Sequence, residues 1–254
     1  MIFAPSHAGA RRRLALAGGA LGLALARAAS AASFEAPRGN GTAHRQTRAV
    51  DHFDALTLAL PGTLELRLGD TESVSVETDD NLQGLIDIKV EDGTLKIGSA
   101  KRGLSFAPGA LKFVVRAKSV ERLSVDGSGA IDAPALRAPA LRFNIGGSGS
   151  ITVGKLASEA VSVAIGGSGS FKAGGATDRL DVSIGGSGQA QAGGLAAKRV
   201  NVSMGGSGQA VVWARQALNV SIAGSGDVGY YGDPQLSRGV AGSGRIKRLG
   251  AAPD

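Results

Sequence analysis

Seven serines stand between glycines at nearly constant spacing: Ser128, Ser148, Ser168, Ser187, Ser207, Ser225 and Ser243. A serine raised on a glycine turn is a candidate nucleophile, because a tight elbow exposes its hydroxyl to a base. That chemistry needs G-x-S-x-G. Two places after the five middle serines stand Ser150, Ser170, Gln189, Gln209 and Asp227, never a glycine. One equivalent serine in every unit points to a ladder of turns instead.

The remaining candidates are equally sparse. Calcium-binding β-rolls use G-G-x-G-x-D, with the aspartate completing an oxygen cage. Only Asp227 stands at such a place, and one carboxylate does not make an array. Gly224 to Gly229 matches G-x-G-x-x-G in form, but Tyr230-Tyr231-Gly232-Asp233-Pro234 follows. That is a turn, where a pyrophosphate site needs a helix N-terminus. The three histidines, His7, His44 and His52, are scattered at the start of the chain. Polysaccharide hydrolysis needs paired carboxylates, and Asp181, Asp227 and Asp233 would have to converge in one cleft to supply them. No catalytic, cofactor-binding or metal-ligating residue is therefore expected. Trp213, Tyr230 and Tyr231 read as a hydrophobic plug for the last turns of the fold in preference to a sugar-stacking or partner patch.

The elements around these residues are strands. Leu180, Val182 and Ile184 alternate with Asp181 and Ser183, the period-2 pattern of a strand with one face buried. Comparable runs precede each G-S-G, and successive serines lie 20, 20, 19, 20, 18 and 18 residues apart. A unit of this size cannot bury its own apolar face, but stacked copies can. Glycine pairs at this interval would break a helical solenoid, and a β-sandwich does not predict identical turns at constant spacing. The expected fold is all-β, a right-handed parallel β-helix whose hand follows the crossover rule. Six steps of about 4.8 Å between the seven serines give a stack roughly 29 Å long. The outward strand positions are Asn144, Ser162, Ala164, Asp181, Ser183, Asn201, Ser203, Asn219 and Ser221, a mildly polar face able to offer hydrogen bonds. Upstream, Asp92-Gly93 marks a hairpin turn. Residues 49–120 read as less regular first coils that cap the stack, and residues 121–250 as the GSG repeats.

Residues 1–31 carry the marks of an export leader. Arg11, Arg12 and Arg13 precede an apolar run from Leu14 to Leu25, and small residues up to Ala31 offer cleavage sites. The run is too short to span a bilayer, so no stable membrane insertion of the mature chain is expected. Residues 32–48 read as a flexible linker. Of the 28 basic residues the leader holds four, so the mature chain has 24 against 21 acidic ones, a net charge of +3. No basic stripe with interleaved aromatics remains, so nucleic acid is not an expected partner. The chain has no cysteine, so the fold does without disulfides.

Phe53-Asp54-Ala55-Leu56, Val74-Ser75-Val76-Glu77, Asp92 to Ile97 and the ordered GSG units resemble the GIN domain, the auto-transporter adhesin head family. The resemblance covers residues 48–249 and extends to the closing Gly226 to Pro234 segment. It implies an exported β-helical protein and carries no catalytic residues. Together these features give the expectation of a non-enzymatic binding or scaffolding protein, periplasmic, surface-exposed or secreted. Its expected partners are a glycan, peptidoglycan or an envelope protein. The alternative is an enzyme acting on envelope carbohydrate.

Overall fold

The computed structural model describes residues 36–101 and 110–253. The expected leader, with His7, lies outside the described residues. The chain begins with β1 (Ala43–Ala49), β2 (Ala55–Leu58), β3 (Thr63–Leu68) and β4 (Ser73–Asp79). A 3-10 turn (Asp80–Leu85) leads to β5 (Ile86–Glu91), β6 (Thr94–Ser99) and β7 (Lys112–Ala117). The repeats supply β8 (Arg122–Val125), β9 (Ala130–Arg137), β10 (Ala140–Ile145), β11 (Ser150–Ile165), β12 (Ser170–Ile184), β13 (Gln189–Gly206) and β14 (Gln209–Gly224). The last coils are β15 (Asp227–Tyr231), β16 (Gln235–Gly242) and β17 (Arg245–Gly250).

From β8 onward every pairing is parallel and joins one coil to the next, as a β-solenoid requires. The register stacks like on like. Phe143, Val163, Val182, Val202 and Val220 form one inward column, and Ile145, Ile165, Ile184, Met204 and Ile222 a second. All ten are 3% exposed or less. Burying each aliphatic side chain contributes about 1.5–3 kcal/mol relative to leaving it in water. The core is therefore a set of aliphatic columns, thickened where the Phe143 and Phe171 rings meet with centroids 4.9 Å apart.

The turn explains the glycines. The backbone N–H groups of Ser148, Ser168 and Ser187 donate to the carbonyls of Gly127, Gly147 and Gly167 in the preceding coil, at 2.9, 3.1 and 3.1 Å. A Cβ on Gly167 would lie 2.5 Å from the Gly147 carbonyl oxygen, and one on Gly186 2.6 Å from that of Gly167. Positive φ contributes as well, at Gly206 (150°) and Gly224 (138°). Space between stacked backbones is the more general need.

The first coils depart from the simple picture. The Asp92-Gly93 turn joins β5 and β6 as an antiparallel hairpin, with φ of 50° and 70° at the two residues. The coils do not stack in sequence order, however. β2 lies between β6 and β8, and β3 between β7 and β9. This end is closed by antiparallel strands, with β4 on β7 and β1 on β4. Residues 43–48, expected as part of a flexible linker, are thus strand. Their side chains are almost all exposed, so no apolar alternation announced them, and backbone pairing to β4 holds them. At the other end β16 is exposed throughout. No helix among the described residues is long and apolar enough to cross a membrane.

Candidate functional site

Alternation along each strand sends the residues between the core columns outward. Register then lines them up across coils. Ser162, Asp181, Asn201, Asn219 and Ser237 form one outward column, and Ala164, Ser183, Ser203, Ser221 and Gly239 the adjacent one. Together they line an open groove of about 710 Å³, with Arg238 at its far end. Side-chain amides run along it as a chain. Asn201 Nδ2 donates to Asp181 Oδ1 at 2.6 Å, and Asn219 Nδ2 donates to Asn201 Oδ1 at 2.9 Å. Arg179 Nε donates to Asp181 Oδ2 at 2.7 Å and anchors the start of the chain.

The electrostatics follow from those contacts. Burial opposes ionisation of Asp181, but the hydrogen bonds from Arg179 and Asn201, with the Arg179 charge, outweigh it and hold the carboxyl below its ordinary value. Asp181 is therefore a carboxylate at neutral pH, fixed in place as an acceptor. Linked donors and acceptors polarise one another, and Ser237 of the next coil is the register partner of Asn219. The face can hold a ligand rich in hydroxyls or amides lying along the stack, with a polar group offered about every 4.8 Å.

The structure sorts the other candidates plainly. All seven GSG serines are exposed at turns. Asp227 receives two hydrogen bonds from Arg245, at 3.0 and 2.9 Å, which lower its pKa and occupy both oxygens. Asp233 lies 3.9 Å from Arg248. Asp181, Asp227 and Asp233 are therefore each beside a different arginine, and Asp181 and Asp227 stand in different columns. Among the described residues no group of three or more His, Cys, Asp or Glu is placed to hold a metal ion. The Gly224–Gly229 segment runs from β14 into β15, with no helix. His52 Nδ1 lies 2.7 Å from Glu72 Oε1 on the surface, and the His44 carbonyl accepts from Gln83 at 2.8 Å.

The three aromatics split. Tyr230 packs against the core, as a plug would. Trp213 lies between the fully buried Val212 and Ala214 and so faces outward, with Tyr231 its register partner one coil on. The plug reading is thus corrected for these two, because the local alternation places them on the outer surface.

Sequence reasoning missed Arg179, Ser237 and Arg238. Aligning Leu236-Ser237-Arg238-Gly239-Val240 with Leu218-Asn219-Val220-Ser221-Ile222 was the signal available for the last two. It also missed an apolar groove of about 440 Å³ on another side, where Leu68, Pro134 and Ala135 meet Arg67, Arg137 and Lys155. No local pattern announces it, since register alone brings β3, β9 and β11 together.

Comparison with known proteins gives a consistent picture of the fold. The sequence model of the family described as "Putative auto-transporter adhesin, head GIN domain" matches residues 52–234. A crystal structure of a putative adhesin from Bacteroides fragilis is 22% identical with a TM-score of 0.77, covering 84% of this chain and 99% of that one. A structure named as a putative lipid binding protein from Parabacteroides distasonis is 26% identical with a TM-score of 0.68, covering 85% and 100%. A putative adhesin from Parabacteroides merdae is 21% identical with a TM-score of 0.67, covering 84% and 98%. No curated protein matches the chain.

Proposed function

Because the chain belongs to the auto-transporter adhesin head GIN domain family, we propose that it is a non-enzymatic, adhesin-like binding protein of the bacterial envelope. In this reading it acts in the periplasm or at the cell surface after loss of residues 1–31, and a glycan, peptidoglycan included, lies along its polar strand face. The observation that carries the reading is the Asp181–Asn201–Asn219 hydrogen-bonded chain inside the groove of about 710 Å³. Fixed amides spaced one coil apart suit a repeating polar polymer better than a compact substrate. The separate arginine partners of Asp181, Asp227 and Asp233 favour binding over envelope carbohydrate hydrolysis, which needs two carboxyl groups facing one bond.

A second reading rests on the apolar groove at Leu68, whose ionisable lining residues are all cationic. An acyl chain against Leu68 and Pro134, with its anionic head at Arg137 and Lys155, fits that arrangement. The 26%-identical structure named as a putative lipid binding protein lends it support.

One retention assay separates the two. The protein is incubated with isolated peptidoglycan, with envelope polysaccharide and with anionic phospholipid vesicles. The strand-face reading expects retention by a glycan that falls about tenfold or more when Asn201→Ala and Asn219→Ala are combined, given about 0.5–1.5 kcal/mol per hydrogen bond. Retention by vesicles alone favours the second reading. Glycan retention untouched by the double substitution overturns the first.

A further inference from the structure

We propose that the outer groove beside Tyr231 is a separate binding site for an acidic glycan, recognising a pyranose ring that bears a carboxylate. It lies on a different side of the coil from the amide chain and does not depend on that face being a binding surface. The groove measures about 450 Å³ and is walled by Tyr231, with Lys172, Gln191 and Thr152 along it. Three observations lead to this ligand class.

The first is aromatic placement. Ala157, Ala176 and Ala196 occupy successive coils of one outward column, and the same column then carries Trp213 and Tyr231. Both residues are partly exposed, and an aromatic ring on an outer column is the kind of flat apolar surface on which a sugar ring rests. The Tyr231 ring lies against the backbone at Gly193, where a Cβ would stand 3.3 Å from it. That contact fixes the ring as a wall of the groove.

The second is the polar set. Thr152, Lys172 and Gln191 are register partners in three successive coils. They offer a hydroxyl, an ammonium and an amide about 4.8 Å apart. The third is charge. Lys172 is exposed, has no ion-pair partner among the described residues, and is the one ionisable residue lining the groove apart from Tyr231. A carboxylate beside a free ammonium forms a charge-assisted hydrogen bond, while the ring's apolar face rests on Tyr231.

Trp213 is the chain's single tryptophan, so its fluorescence reports binding at the next coil. The full protein is titrated with hexagalacturonate and hexamannuronate, and with their methyl esters, in which the carboxylate is masked. The proposal expects a saturable fluorescence change with at least one free acid and affinity about tenfold weaker for its ester. Lys172→Gln should abolish the difference between acid and ester, and Tyr231→Ala should abolish binding while circular dichroism stays that of the wild type. No saturable change with either acid, equal affinity for acid and ester, or binding unaffected by Lys172→Gln overturns it. Asn201→Ala should leave the titration unchanged, so this site and the strand face fail or succeed independently.

Discussion

At the residue scale the contrast lies between the glycines and the serine of each turn. Gly167 is needed because a Cβ would lie 2.5 Å from the Gly147 carbonyl oxygen, whereas Ser168 is exposed and contributes its backbone N–H to the ladder. Gly167→Ala should therefore destabilise the protein by about 1–3 kcal/mol through overpacking, seen as a fall of several degrees in Tm. Ser168→Ala should change stability by no more than about 0.5 kcal/mol and leave ligand retention as it was. Thermal unfolding of the two variants side by side checks this, and a larger loss from the serine change would contradict the turn assignment. The repetition of G-S-G was plain in the sequence. Its cause was less so, because positive φ is a property one residue can suggest, while backbone-to-backbone approach involves a coil some twenty residues away.

At the element scale the informative unit is the row of outward side chains across β12, β13 and β14. Its members Asp181, Asn201 and Asn219 were readable from alternation, since each repeat gives its own inward and outward positions. Arg179 escaped because it stands two positions before Asp181, at the corner of the coil, and its role depends on a side-chain hydrogen bond. The order of the first coils escaped for a related reason: β2 and β3 carry the same alternation as β6 and β7, and alternation does not say which lies between which. The row also predicts a pH dependence. The folded-state pKa of Asp181 lies below the ordinary 3.8, so its stabilisation is fully present above that value and is lost as the pH falls through the lower folded-state value. Urea unfolding of the wild type and Asp181→Asn from pH 7 to pH 3 should show the wild type's advantage shrinking at the acid end. An advantage constant across that range would mean that the carboxylate charge plays no part in the row.

At the scale of the whole molecule the two ends differ. Antiparallel strands close the first coils, while the last coil leaves Leu236 37% and Val240 43% exposed below the buried Leu218 and Ile222. Arg238 occupies the column of Val220, and Arg248 that of Tyr230, so cations stand where a further coil would need apolar side chains. Exposed cations along an open edge discourage pairing with other chains. The sides of the stack remain as broad surfaces, and the amide-lined side is the one proposed to hold a glycan. The most direct test is NMR of the Asn201 and Asn219 side-chain amides in the protein titrated with the glycan that retains it. Those two signals should shift together and saturably while the backbone N–H signals of Ser168 and Ser187 stay in place. Shifts confined to the GSG turns, with both asparagine amides unmoved, would contradict the strand-face reading.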